Sequence, residues 1–435
     1  MSSRSAAPIT IRRARRAAWS AAFIALAALA LLTTACPLGP GNDGPPDFPN
    51  IDDPGNQAAR FVGASACRQC HADVARVNET HGHNFALNRV EGLPPAYPAN
   101  TSAGVPDPPP GLAWQDVSYV IGGHGRGARF LDAAGFLVTT AATGAPTQWN
   151  LAFAPTGVAA GFVGFEAAPP CDSECFERLV TGVLSTGGPP FQENRPGLRG
   201  TWNEPGVRCE ACHGPGSMHF RTEGDAVLIA PDRIFVDATG GASCNRCHAQ
   251  PLGDASGRIA AADGYVAPYN QAAELRASGG HSAFACTICH DPHRSVRYDR
   301  AHAIRNECTA CHRDATLAGH DGAVFTRGDY TEPVTCVSCH MPFATRAYST
   351  AGADAVGPAG RAGDTRTHIF RIDTQPRDYR SFLAPDGASV ALDAQGRAAV
   401  TVDFVCLRCH NGLGSVFALT LERAAEIAPN VHRLP

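Results

Sequence analysis

The sequence predicts a mainly α and irregular-coil chain, in which short helices and loops are accompanied by a few short β-hairpins. Three observations support this fold class. The 435 residues include 34 Pro and 45 Gly, which interrupt regular elements along the whole chain. Aromatic residues make up only 7% of the chain, which favours a thin side-chain core. Fourteen of the 17 Cys stand in seven C-x-x-C-H motifs, so we expect the fold to be organised around those motifs.

The first 35 residues have the pattern of an export signal. Five Arg, at positions 4, 12, 13, 15 and 16, precede the apolar run AAFIALAALALL. The run is shorter than the roughly 20 residues that span a bilayer, which favours a signal peptide over a retained anchor. Leu32–Cys36, LTTAC, resembles a bacterial lipoprotein processing site with Cys36 as the lipid-bearing residue. Ordinary cleavage to a soluble secreted form is the alternative.

Three further segments follow the signal. Residues 36–59 are rich in Pro, Gly and Asp and predict a flexible tether. Residues 60–208 hold the first motif, the pair Cys171 and Cys175, and two alternating runs, DVSYVIGG and ARFLDAAGFLVTT, that predict a small hairpin or sheet. Residues 209–435 hold the other six motifs. There SVALDAQGRAAVTVDFVC predicts a second hairpin with Gly396 in its turn.

The charge balance argues against nucleic acid as a partner. The formal net charge is −4, and it becomes −9 once residues 1–35, with five Arg and no Asp or Glu, are removed. All 36 basic residues are Arg, because the chain contains no Lys. A lysine ligand, base or Schiff base is therefore excluded.

Each C-x-x-C pair is followed directly by His. His is about 4% of the chain, so seven such positions are not accidental. The pattern is typical of covalent haem attachment, in which two thioethers hold the porphyrin and the His is the proximal iron ligand. The sequence thus predicts seven haems c. The motif residues are Cys67, Cys70, His71; Cys209, Cys212, His213; Cys244, Cys247, His248; Cys286, Cys289, His290; Cys308, Cys311, His312; Cys336, Cys339, His340; and Cys406, Cys409, His410.

Two other uses of C-x-x-C fit less well. Zinc ribbons combine such pairs two by two and do not require His at the next position every time. A thioredoxin-like redox motif expects a βαβ setting, and seven copies would be hard to explain.

The second axial ligand of each iron is predicted to be histidine as well. After the signal only Met218 and Met341 remain as thioether ligands, whereas ten His lie outside the motifs. His219 and His293 follow their own motifs so closely that each is expected to serve a neighbouring haem. His124, in the Gly-rich GGHGRG, is the weakest of the ten. The metal-ligand candidates are His81, His83, His219, His281, His293, His302, His320, His368 and His432, of which His81 and His83 offer one ligand between them.

The motif density predicts that the cofactors themselves form much of the core. Six motifs lie between Cys209 and His410, a span of 202 residues. That leaves little room for a conventional side-chain core, so we expect short elements packed round neighbouring haems.

Several stretches resemble the exported multihaem c-type cytochromes, the superfamily of pentahaem nitrite reductases and octahaem hydroxylamine-oxidising or tetrathionate-reducing enzymes. These are GTWNEPGVRCEACHGPGSMH, CTICHDPH, CVSCHMPF with TRTHIFRI downstream, FVGASACRQCHADV and DVSYVIGG, within residues 60–435. The resemblance implies that CDSECF, which contains Cys171 and Cys175, stands where relatives often have an eighth haem motif. A disulfide between these two Cys is the default in an exported protein, and a relic of that motif is the alternative.

The resemblance leaves two functions open. We expect an electron-transfer protein with seven bis-histidine haems, at the periplasm or cell surface, in an anaerobic or extracellular respiratory pathway with redox proteins as donors and acceptors. The alternative is a reductase or oxidase of a small nitrogen or sulfur compound with one open haem. Against it, nitrite reductases of the superfamily commonly use C-x-x-C-K, and this chain has no Lys. A homo-oligomer or filament with haems stacked between subunits is a third possibility.

Overall fold

The structure is a computed structural model that describes residues 59–166, 191–199, 201–223, 226–249, 257–348 and 360–433. All of these residues belong to one compact unit, Asp47–Pro435. The predicted export signal, Cys36 and the pair Cys171 and Cys175 lie outside the described residues.

The described α-helices are short, with at most seven residues each. Frequent Gly and Pro explain these lengths, since both residues end helices. The helices are α1 (Ala64–Arg68), α2 (Ala72–Asn78), α3 (Thr140–Thr143), α4 (Cys209–His213), α5 (Ala242–His248), α6 (Gln271–Arg276), α7 (Cys286–Cys289), α8 (Arg300–Ala303), α9 (Cys336–His340), α10 (Tyr379–Phe382), α11 (Val402–Val405) and α12 (Leu421–Ile427). 3₁₀ turns, among them Gly82–Phe85, Cys308–Ala310 and Ala318–His320, lie between them, and a further one, Ala428–Arg433, directly follows α12.

Thirteen strands form one antiparallel five-stranded sheet and four two-stranded pairs within the described residues. The large sheet has the order β1 (Leu87–Arg89), β2 (Val117–Gly122), β3 (Gly127–Asp132), β4 (Gln148–Asn150) and β5 (Gly161–Val163). The pairs are β6 (Phe220–Glu223) with β7 (Ala226–Ile229), β8 (Ala261–Ala262) with β9 (Tyr265–Val266), β10 (Val324–Arg327) with β11 (Tyr330–Pro333), and β12 (Ile372–Asp373) with β13 (Val400–Thr401). Helices, coil and short strands together confirm the predicted fold class.

The five-stranded sheet fills much of the stretch between the first and second motifs, where the sequence predicts a small hairpin or sheet. Alternate residues of β2 and β3 pack on its two faces: Tyr119 and Leu131 belong to one hydrophobic cluster, and Val120 and Phe130 to another. Gly122, the last residue of β2, has a φ of +79°, a conformation that glycine adopts without strain.

The prediction of a second hairpin within residues 389–406 is wrong. A tight turn does form, in which the Gly396 N–H donates to Asp393 O at 2.9 Å, and Gly396 has a φ of +72°. Beyond the turn the two arms do not pair with each other, because β13 pairs in parallel with β12. Val390 and Val400 are both buried in the same core, so burial against other segments outweighs local hairpin pairing.

The largest hydrophobic cluster packs against the sixth and seventh motifs. It gathers buried residues from Ile259 to Val405, and the partly buried Cys339 and Cys406 pack against it. The protein core and the motif cysteines are thus continuous. Within the described ranges, every helix is too short or too polar to span a membrane.

Candidate functional site

Each motif is built on a single helical turn. In the fourth motif the His290 N–H donates to Cys286 O at 2.9 Å, and in the seventh the His410 N–H donates to Cys406 O at the same distance. Residues three and four apart lie on one face of such a turn, so two thiols and one imidazole leave the backbone on the same side. This arrangement is what attachment of a single porphyrin requires.

Every motif histidine faces one further histidine within the described residues. The ring centroids of the seven pairs are 5.7–6.5 Å apart. The pairs are His71 with His219, His213 with His293, His248 with His83, His290 with His368, His312 with His281, His340 with His432, and His410 with His320.

This spacing fits one iron between the two rings of each pair. Two imidazole nitrogens, each about 2 Å from one metal atom, place their ring centroids roughly 6 Å apart. A tetrahedral zinc site takes four protein ligands, whereas a facing pair supplies two on opposite sides, as the axial positions of a porphyrin require. The motif cysteines are free of disulfides in the described residues, so the two thiols beside each pair are available for thioethers. The residues present therefore fit haem c.

Hydrogen bonds orient several of these rings. The Nδ1 atoms of five paired histidines contact backbone carbonyl oxygens, and such oxygens only accept hydrogen bonds, so these Nδ1 atoms carry the proton. The lone pair is then on Nε2, and donation to a carbonyl also raises the basicity of a metal-ligating imidazole. The contacts are His213 to Phe235 at 2.8 Å, His340 to Phe370 at 2.9 Å, His410 to Phe417 at 3.0 Å, His219 to Ala230 at 3.0 Å and His432 to Thr316 at 2.7 Å.

Burial keeps further paired rings neutral, as metal ligation requires. Burial, with a smaller contribution from His290, lowers the pKa of His368 to about 3. Burial, followed by the neighbouring His81 and His248, holds the pKa of His83 well below its ordinary value.

His81 and His83 differ in position, although the sequence treats them as interchangeable. His83 faces His248, whereas the Nδ1 atom of His81 accepts the His83 N–H at 3.1 Å. The His81 ring lies 4.5 Å from that of His83 and faces no motif histidine in the described part of the chain. Of the two, the geometry therefore favours His83 as a ligand.

His302 and His124 also stand outside the seven pairs. The side chain of His302 is 70% exposed, and its Nδ1 lies 2.6 Å from Asp299 Oδ1. His124 is buried, with its ring 4.4 Å from that of Phe85 and 4.7 Å from that of Tyr298. Burial lowers the pKa of His124 to about 4. Of the predicted distal ligands, the structure thus brings seven against motif histidines and leaves His81 and His302 aside.

Glu274 holds the segment that carries His368, and sequence reasoning missed it. His368 lies outside the strands, because β12 begins only at Ile372. The fully buried Glu274 of α6 instead accepts the His368 N–H at 2.6 Å and the Thr367 hydroxyl at 2.5 Å. The only sign of Glu274 in the sequence was a Glu beside two Ala in a short helix, which does not indicate this role.

A buried ion network joins the sixth and seventh motifs, and the sequence did not reveal it either. Glu332 of β11 accepts from Arg408 at 2.8 Å, from Arg366 at 2.9 Å and from the Ser338 hydroxyl at 3.0 Å. Ser338 and Arg408 are the variable residues of CVSCH and CLRCH. Burial would raise the pKa of Glu332, but the two guanidinium groups and Tyr330 outweigh it and hold that pKa at about 2.

The chain with this geometry is similar to a curated sulfite reductase and to the solved structures of a sulfite reductase and two cytochromes. A sequence match links it to the dissimilatory sulfite reductase MccA of Wolinella succinogenes. The alignment is 212 residues long with 24% identity and covers 39% of this chain and 27% of that relative. The match thus spans about a quarter of the length of that protein. No protein-family model matches the chain.

Three solved structures align with much of this chain. The octahaem sulfite reductase MccA of Wolinella succinogenes, form II, aligns over 91% of this chain and 69% of its own, with a TM-score of 0.49 and 17% identity. The outer cell wall cytochrome OcwA aligns over 84% and 86%, with a TM-score of 0.40 and 15% identity. An undecahaem S-layer cytochrome of Carboxydothermus ferrireducens aligns over 72% and 52%, with a TM-score of 0.37 and 16% identity.

Proposed function

We propose that this protein transfers electrons through seven covalent c-type haems, each with two histidine ligands. The observation that carries the proposal is the set of seven facing histidine pairs, one at every motif. An iron with both axial positions filled by protein has no open position for a substrate and exchanges single electrons between its ferric and ferrous forms. The haem supplies the redox chemistry, and the chain supplies the ligands, their orientation and the surroundings.

The protein groups have distinct roles in this proposal. The two Cys of each motif would hold the haem through thioethers, the adjacent His would be the proximal ligand, and the facing His would be the distal ligand. The carbonyls of Phe235 and Phe370 fix the proximal rings of His213 and His340 through Nδ1. Fixed rings need little rearrangement when the charge on iron changes, which suits electron transfer.

The proposed setting is outside the cytoplasm. The export signal, the lipoprotein-like Cys36 and the tether that follows support a membrane-anchored protein of the periplasm or cell surface, in anaerobic or extracellular respiration. The charge of −9 after signal removal favours redox partners with basic docking surfaces. Ionised haem propionates would add to this negative charge, and the abundant Arg suits them.

The haem content and the axial ligands are tested together on the purified holoprotein. Mass spectrometry of the intact chain, with the pyridine haemochrome spectrum, counts covalent haems, and seven are expected. Electron paramagnetic resonance of the oxidised protein is expected to show only low-spin iron, and the reduced protein is expected not to bind carbon monoxide. A high-spin haem that binds carbon monoxide would contradict the proposal that all seven haems have two histidine ligands and only transfer electrons.

That contrary outcome would support the second candidate, a reductase or oxidase of a small nitrogen or sulfur compound. The specific observation in its favour is the sequence match to a protein named as a dissimilatory sulfite reductase. The facing pair at every motif histidine stands against it, because such a reaction needs one iron with an open axial position.

A further inference from the structure

Glu210 is the first variable residue of the second motif, CEACH, and it is buried. Its carboxylate accepts three backbone N–H groups from outside the motif. The Val62 nitrogen lies 2.9 Å from Oε1 and 3.1 Å from Oε2, the Gly63 nitrogen 2.8 Å from Oε2, and the Gly216 nitrogen 2.7 Å from Oε1. Hydrogen bonds to an ionised acceptor are about twice as strong as neutral ones, so both carboxylate oxygens hold the backbone firmly.

The three donors belong to the two segments that carry the facing histidines His71 and His219. Gly63 directly precedes α1, which contains Cys67 of the first motif. Gly216 begins the 3₁₀ turn before His219, and its carbonyl accepts the His219 N–H at 3.0 Å. One carboxylate of the second motif therefore anchors both the first motif and the histidine that faces it.

The two segments also contact each other beside the carboxylate. The Arg60 N–H donates to the Ser217 hydroxyl oxygen at 2.7 Å, and the Ser217 N–H donates to the Arg60 carbonyl at 3.1 Å. At position 216 a Cβ would lie 3.0 Å from Val62 Cγ2 and 3.3 Å from Glu210 Oε1, both closer than ordinary van der Waals contacts. Any residue larger than glycine would therefore push this turn away from the carboxylate.

We infer that Glu210 is a positioning residue for the iron proposed between His71 and His219, although it stands in the motif of another iron. The inference rests on the proposed function. The His71 and His219 rings are 6.5 Å apart, the widest of the seven facing pairs, so an outward shift of either segment would lengthen an iron–nitrogen bond. The Ala230 carbonyl, 3.0 Å from His219 Nδ1, fixes the rotation of that ring, and Glu210 fixes the turn before it.

The isosteric substitution Glu210→Gln tests this role in the holoprotein. It replaces one acceptor oxygen by an NH₂ group, which cannot accept the N–H that faced it, so one segment is expected to move away from the carboxamide. Glu204→Gln is the matched control, because Glu204 Oε2 accepts the Ala64 N–H at 2.8 Å and the amide oxygen of Gln can still accept it. Reduced Glu210→Gln protein is expected to bind carbon monoxide at one iron, where the iron–histidine bond is weakened. The reduced Glu204→Gln protein is expected to bind none.

Double variants identify the affected iron. His219→Ala opens the iron proposed at His71, and His293→Ala opens the iron proposed at His213, so each is expected to bind one carbon monoxide. Glu210→Gln added to His219→Ala is expected to leave the count at one, because both substitutions act at the same iron. Added to His293→Ala, it is expected to raise the count to two. A side chain that only stabilised the fold would not produce this difference between the two irons.

Equal carbon monoxide binding by the Glu210→Gln and Glu204→Gln proteins would overturn the inference, as would a count of two in the protein with Glu210→Gln and His219→Ala. If Glu210→Gln does not give a folded holoprotein, Gly216→Ala tests the same contact from the donor side, with the same expected counts. Its control is Gly125→Ala, because a Cβ at Gly125 would meet nothing within 4 Å.

Failure of the proposed function is seen separately, as high-spin iron or carbon monoxide binding in the unsubstituted protein. An unsubstituted protein with only low-spin iron, together with a Glu210→Gln protein that binds no carbon monoxide, would reject the positioning role alone.

Discussion

The imidazole rings of His213 and His293 lie 6.0 Å apart between centroids and within 2° of parallel. His293 comes only three residues after His290 in the chain, yet it faces the histidine of a different motif. A histidine that closely follows the fourth motif thus faces the histidine of the second motif rather than that of its own. This contact joins the segments of the second and fourth motifs.

The first prediction concerns this pair. Replacement of His293 by Ala removes the proposed distal ligand of the iron bound by His213, so one of seven irons is expected to become high-spin and to bind carbon monoxide when reduced. His302→Ala is the matched control, because His302 is an exposed histidine that faces no motif histidine in the described ranges. In each variant, electron paramagnetic resonance measures the spin state of the irons and carbon monoxide titration measures ligand binding by the reduced form. An unchanged His293→Ala protein, or a high-spin His302→Ala protein, would reject the assignment.

The second prediction concerns Glu274. In Glu274→Leu the His368 N–H and the Thr367 hydroxyl lose a buried acceptor, and each unsatisfied donor costs about 1–3 kcal/mol. We expect a lower free energy of unfolding and partial high-spin character at the iron proposed between His290 and His368, because His368 loses its support. Glu274→Gln keeps an acceptor oxygen and is expected to retain the low-spin spectrum. Glu422→Leu, at an exposed helical position, is the control for stability.

Equal spectra for Glu274→Leu and Glu422→Leu would show that Glu274 does not position the ligand. Denaturant unfolding followed by circular dichroism gives the stability, and the visible spectrum of the oxidised protein gives the spin state.

The third prediction concerns the buried ion network. Glu332→Gln leaves the guanidinium groups of Arg408 and Arg366 without their carboxylate, and loss of one partner of a buried ion pair costs about 3–5 kcal/mol. Glu426→Gln breaks an ion pair with Arg423 in which both side chains are more than half exposed, and it is expected to cost at most about 1 kcal/mol. Denaturant unfolding measures the loss of free energy of unfolding in each variant. Equal losses in Glu332→Gln and Glu426→Gln would contradict the role of burial.

The fourth prediction is the pH dependence of that network. The pKa of Glu332 is lowered from 4.5 to about 2, so its ionised form is favoured by folding. Its contribution to stability is present above pH 4.5 and is lost as the pH falls towards 2. Between these values the wild type is expected to lose more stability than Glu332→Gln. Parallel losses in acid titrations of the two proteins would show that Glu332 is not responsible.

The fifth prediction concerns a backbone contact. A Cβ at position 363 would lie 2.1 Å from the backbone oxygen of Thr345, so Gly363→Ala forces a shift of the chain. A Cβ at Gly125 would meet nothing within 4 Å. We therefore expect Gly363→Ala to lower the melting temperature by several degrees, as overpacking costs about 1–3 kcal/mol, and Gly125→Ala to leave it nearly unchanged. Calorimetry of both holoproteins measures the melting temperatures. Equal values would contradict the close packing at position 363.

The sequence by itself determined the motifs, the residues available as ligands and the fold class. These follow from local chemistry, because C-x-x-C-H places two thiols and an imidazole on one turn whatever surrounds it. The small sheet after the first motif was also predictable, from the alternation in DVSYVIGG and ARFLDAAGFLVTT.

Only the tertiary structure decided which histidines meet. His83 rather than His81 faces His248, and His302 faces Asp299, because pairing depends on the mutual placement of segments far apart in the chain. The same reason explains the misplaced hairpin around Gly396, where burial of Val400 beside β12 outweighed local pairing. Glu274 and Glu332 were missed because a buried carboxylate is recognisable only from the distant groups that hold it.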